Sequence, residues 1–154
     1  MEWQFVVQLL AAALAGMGYA LLYNVHGKLY IPAVLGAMLG WGIYVFALQG
    51  GYSTIGASFA ASVVISLWSE ILSRLHKAPA TVFLVIGVLP LVPGGGIYST
   101  MRGITTGDLR FAMEKGLETI GIALVLALGM LIVSTIMRLY YSLRGKNFHL
   151  PRRV

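Results

Sequence analysis

The chain has 154 residues, 58% of them hydrophobic and 10% charged, with a formal net charge of +6 and a mean hydropathy of +0.85. So little polar surface excludes a soluble globule and marks an all-α integral membrane protein, in which spans of about 20 residues leave room for four to six and for no soluble catalytic domain. Cysteine is absent, which excludes disulfides, thiolate metal sites and cysteine nucleophiles.

The first predicted span runs from about Trp3 to Tyr23, with those two aromatics at its interfaces. Its flank Met1-Glu2 lacks the positive charge of a cleavable leader, so the segment is expected to stay in the mature protein. After the turn Asn24 to Lys28, a second span covers about Tyr30 to Leu48, with Pro32 in its first turn, where the missing N–H is harmless. The turn Gln49 to Ser53 leads to a third span, Thr54 to Leu75, and Pro79 rules out easy continuation of that helix. The fourth span is predicted to be broken at Pro93 to Gly96. Thr81 to Leu91 gives only about 16 Å of helix, half a bilayer, and Ile97 to about Gly103 supplies the rest, which puts the break near the midplane. The fifth runs from near Met113 to about Tyr141. The whole reads as one membrane domain, 1–143, followed by a basic tail, 144–154.

Five spans put the termini on opposite sides. Lys28, Arg74, Lys77, Arg138, Arg144, Lys146, Arg152 and Arg153 fall on one side, and only Arg102, Arg110 and Lys115 on the other. Eight basic residues against three predict an outside N-terminus and a cytoplasmic C-terminus in the cell membrane. The tail then faces anionic lipid; no folded basic domain or aromatic platform suits nucleic acid.

Small residues recur every fourth position as Ala12, Gly16 and Ala20, then as Gly36 and Gly40, the pattern of close helix packing within the chain or between subunits. On the third span Ser58, Ser62, Ser66, Ser69, Glu70 and Ser73 share one stripe. Two readings stand. The hydroxyls bond back to their own carbonyls while Glu70 pairs with Arg74, or Ser62, Ser66, Glu70 and Arg74 line a hydrophilic pathway in which Glu70 takes a proton or an ammonium group.

Irregular backbone at membrane depth survives only where protein or a wet cavity surrounds it, so the break at Pro90, Pro93, Gly94, Gly95 and Gly96 is the candidate binding site. A helix starting after Gly96 presents free N–H groups and a positive dipole end to an anion. The glycines accept positive φ and admit close backbone approach, and Tyr98, Ser99 and Thr100 add hydroxyls. A carboxylate fits such a site. The competing reading is a plain boundary turn or a re-entrant segment. No Gly-Lys-Ser/Thr follows the glycines, which excludes a nucleotide loop.

The stretch from Ser69 to Arg74, then Ala78-Pro79-Ala80-Thr81-Val82-Phe83-Leu84 and Gly87-Val88-Leu89-Pro90-Leu91-Val92-Pro93-Gly94-Gly95-Gly96-Ile97-Tyr98, resembles the signature of the threonine/serine exporter family. The chain as a whole is similar to the small, C-terminal-half type. The resemblance implies a secondary exporter of threonine and serine, or of dicarboxylates such as succinate. It also implies a larger subunit carrying the first half; the five-span topology would make two such halves inverted, and self-association is a further option. Proton coupling and no cofactor are expected. The alternative is a passive channel or a non-transporting scaffold. An enzyme is disfavoured, because His26, His76 and His149 are scattered and Glu70 is the one carboxylate well inside a span.

Overall fold

The computed structural model describes residues 2–144. It is helical throughout: α1 Glu2–Leu22, α2 Tyr30–Gln49, α3 Thr54–His76, α4 Ala80–Val88, α5 Gly94–Thr105 and α6 Leu109–Arg144, with single 3-10 turns at Gly27–Leu29 and Leu89–Leu91. The predicted basic tail lies outside the described residues, save the backbone of Arg144.

Local chemistry sets the boundaries. Ser53 caps α3 by accepting the Gly56 N–H at 3.2 Å. At its other end Lys77 turns left-handed, φ 53°, and Pro79 prevents the helix from resuming before α4. Gly107, at φ 79°, closes the turn from α5 into α6, and the Asp108 carboxylate accepts the Phe111 N–H at 3.1 Å.

α1, α2 and α3 form an antiparallel series. Leu9 meets Gly42 and Val34 meets Gly16, then Trp68 packs on Gly36 and Ile65 on Gly40. The Trp68 indole N–H donates to the Pro32 carbonyl at 3.0 Å, locking α3 to α2. α4 returns between these two helices through Gly87, against Gly36 and Ile65. The predicted small-residue positions thus pack α1, α2, α3 and α4 against one another within the chain, as the packing reading has it. A Cβ on Gly87 would lie 2.7 Å from Ile65 Cγ2, so Gly87→Leu is expected to cost about 1–3 kcal/mol by overpacking. Thermal aggregation of the detergent-solubilised protein checks this. Gly18→Leu, at a position where an added Cβ meets nothing within 4 Å, should leave the profile unchanged.

α3 and α6 run parallel: Ile55 packs on Gly121, Ser62 on Gly129, and Arg74 lies over the Tyr141 ring. That pairing decides between the readings of the break. A re-entrant α4–α5 would return the chain to the end of α3 it had left, making α6 antiparallel to α3. The α4–α5 pair, bent by 45°, therefore crosses as one unit, giving five crossings and termini at opposite ends.

The break itself differs from expectation. The second half-helix starts at Gly94, not Ile97, so the interruption is only Val92-Pro93 and the glycines form the first helical turn. None of Gly94, Gly95 and Gly96 has positive φ. Pro93 at the N-cap leaves that turn free to form, because the first N–H groups of a helix need no intrahelical acceptor. Leu91 packs with Ala61 and Ile65 near the middle of α3. Beyond it, α5 pairs antiparallel with the start of α6, Gly96 against Thr119 and Gly103 against Ala112. This hairpin lies past the first turn of α3, since Gly121 already faces Ile55. α6 is accordingly longer than predicted, about 54 Å over its 36 residues against a hydrocarbon core of about 30 Å.

Candidate functional site

The break opens into a cavity of about 480 Å³. Pro90 to Gly96 and Ser99 form one wall, Trp41 and Tyr44 of α2 a second, Thr54 and Ser58 of α3 a third, and Lys115, Glu118, Thr119 and Ile122 of α6 the fourth. A half-open cavity of this size suits a small metabolite.

Its donors come from the backbone. The Gly94 N–H turns to the Val92 carbonyl at 2.7 Å and the Ile97 N–H to the Pro93 carbonyl at 3.1 Å. Between them the Gly95 and Gly96 N–H groups have no acceptor in the helix, and Pro93 supplies no side-chain cap. A Cβ on Gly94 or Gly95, both of which line the cavity, would meet nothing within 4 Å. Gly96 is constrained differently: its Cβ would overlap the Thr119 hydroxyl, so glycine there lets α5 press onto α6.

Across the opening, Lys115 Nζ pairs with Glu118 Oε2 at 2.9 Å, both side chains 37% exposed. A pair this wet stabilises little, so a ligand can part it at small cost. Trp41 and Tyr44 stack obliquely, ring centroids 5.3 Å apart, and the Trp41 indole N–H donates to Gln8 at 3.4 Å, a weak bond that holds the ring toward α1. The site offers two backbone donors at a positive helix end, one cation, one carboxylate and an aromatic wall. That set matches a carboxylate with an apolar or ammonium-bearing remainder.

The predicted residues divide. Pro90, Pro93, Gly94, Gly95, Gly96 and Ser99 converge on the cavity. Tyr98 does not; it is 68% exposed on the outer face of α5. Thr100 folds back, donating to the Gly96 carbonyl at 2.8 Å. On α3 four of the five hydroxyls take the self-bonded arrangement: Ser58, Ser62, Ser66 and Ser69 each donate to a carbonyl three or four residues earlier, at 2.7–2.8 Å, whereas Ser73 donates forward to the Ala78 carbonyl at 2.6 Å. Ser62 is fully buried against Gly129. Glu70 pairs with Arg74 at 2.8 Å, and the guanidinium also reaches the Glu70 carbonyl. Neither Glu70 nor Arg74 lines the cavity at the break.

Sequence reasoning passed over Trp41, Tyr44, Lys115, Glu118 and Thr119. A signal for the last three was present. Gly96, Thr100 and Gly103 repeat at four and three residues, as do Ala112, Gly116 and Thr119, and two such small-residue faces pack as a hairpin that swings Lys115 and Glu118 to the mouth.

Among the described residues no cluster of His, Asp or Glu could hold a metal ion. Over residues 8–136 the chain matches the model of a family described as Threonine/Serine exporter, ThrE. No solved structure matches it.

Proposed function

The chain belongs to the threonine/serine exporter family, and we propose that it is one membrane half, residues 1–143, of a secondary transporter that exports small carboxylate-bearing metabolites. The family is one of transporters rather than enzymes, and this chain is a multi-pass membrane protein within it. Our reading gives it threonine, serine or a dicarboxylate such as succinate as substrate, and a larger subunit of the same family as partner. Export is proton-coupled across the cell membrane, with the N-terminus outside.

The observation that carries the reading is the convergence of the free Gly95 and Gly96 N–H groups, Lys115 and Glu118 on one cavity at a helix break. Half-helix N-termini aimed at a substrate carboxylate are a recurring device of secondary transporters. The five crossings support the partnership, because a five-span half inverts its successor and two such halves can rock about a shared site. Glu70, half-buried and held by Arg74, is the proposed coupling group.

Cells expressing this chain with the larger subunit are expected to expel labelled threonine, serine or succinate against a gradient, and a protonophore should stop them. Strictly downhill flux that ignores the protonophore would replace the coupled exporter by a passive channel. No flux of any of the three would leave a scaffold.

A further inference from the structure

A second cavity, of about 270 Å³, lies at the other end of α3, enclosed by its C-terminal half, the start of α4 and the last third of α6. It repeats the composition of the first. Each is walled by α3 serines, Ser58 in one and Ser66 and Ser69 in the other, and by an α6 hydroxyl, Thr119 or Ser134. Each holds one acid and one base, Glu118 and Lys115 in the first, Glu70 and Arg138 in the second. Each also abuts the first turn of a helix whose N-cap is proline, Pro93 or Pro79, with no side-chain cap.

The charges are arranged differently, and that difference is informative. Glu70 is already neutralised by Arg74, which lies 3.7 Å over the Tyr141 ring. Arg138 makes no ion pair with any described residue. It stands one turn beyond Ser134 on the same face of α6, so its guanidinium and that hydroxyl reach the same space. A planar guanidinium without a carboxylate of its own, lining a cavity with hydroxyls, is built to take one from a ligand.

We propose that this cavity is a second binding station for small carboxylates, anchored by Arg138 and in series with the first. The assignment of ligand class rests on the reading of the first cavity as the substrate site. Between the stations the path is closed: Ala61, Ser62 and Ile65 are fully buried, and Ser62 is pressed on Gly129. Passage from one station to the other requires α3 and α6 to part at that contact.

This chain has no cysteine, so single cysteines placed in it, beside a larger subunit whose own cysteines are replaced, make each station separately readable. In open membrane fragments carrying the complete transporter, Ser134→Cys reports on the second cavity, Ser99→Cys on the first and Ser62→Cys on the barrier. A maleimide is expected to label the first two and spare the third. Succinate or threonine should slow labelling at both stations. Adding Arg138→Gln should raise the concentration needed for half-protection at Ser134→Cys roughly tenfold to hundredfold and leave Ser99→Cys as it was. Protection confined to Ser99→Cys, no labelling of Ser134→Cys, or protection there that survives Arg138→Gln overturns the second station while the first cavity stands. Protection confined to Ser134→Cys and lost with Arg138→Gln upholds the station and removes the first cavity as a substrate site. Protection at neither overturns both.

Discussion

Efflux by Gly95→Leu is expected to fall roughly hundredfold or more, with the protein still inserted and folded. A Cβ at this position meets nothing within 4 Å and the backbone φ is not positive, so a side chain can leave the backbone here without strain. On the proposed reading of the cavity, the space it takes is the ligand's. It stands over the Gly95 and Gly96 N–H groups, and two hydrogen bonds to a charged carboxylate, each worth about 1.5–3 kcal/mol, are lost together. Gly96→Leu would serve poorly as a test, since its side chain collides with Thr119 and prises α5 from α6. Efflux from cells co-expressing the proposed larger subunit, normalised to the variant's abundance in the membrane and its monodispersity in detergent, measures the effect. Wild-type flux from Gly95→Leu would remove the glycine turn from the site.

The helix ends that were legible in the sequence are those fixed by local chemistry. Pro32, Ser53 and Pro79 act on their own neighbours, and the ends of α1, α2 and α3 fall within one or two residues of where hydropathy and those residues put them. The start of α5 was misplaced because a Gly-Gly-Gly run reads as a breaker by propensity. Here it occupies a first turn, where the N–H groups are free in any case and Pro93 already fixes the entry. Lys115 and Glu118 were missed for another reason. As charges flanking an apolar run they look like an interface marker, and only the packing of α5 on α6 brings them to the cavity. The serine stripe was legible as a pattern, and hydropathy could not choose between its two readings: Ser58, Ser62, Ser66 and Ser69 are buried, yet each hydroxyl is satisfied by a carbonyl of its own helix.

Glu118→Gln is expected to split the substrates. With the carboxylate on the α5 N-terminus and Lys115, an amino acid places its ammonium group toward Glu118, on the same rim of the cavity. Removing that charge should lower threonine and serine efflux roughly tenfold to hundredfold, the effect of losing one charge-assisted hydrogen bond in a cavity. Succinate has no ammonium group, and its second carboxylate is repelled by Glu118. Its efflux should hold or rise in the same variant, because Lys115 is also released from its internal partner. Lys115→Gln should weaken all three, since it strips the shared carboxylate of its cation and leaves Glu118 uncompensated beside it. The ratio of threonine to succinate efflux, measured in one set of cells, therefore reports the role of Glu118 independently of expression. Equal losses for both substrates in Glu118→Gln would reduce Glu118 to a prop that positions Lys115, and the amino-acid orientation in the cavity would fall with it.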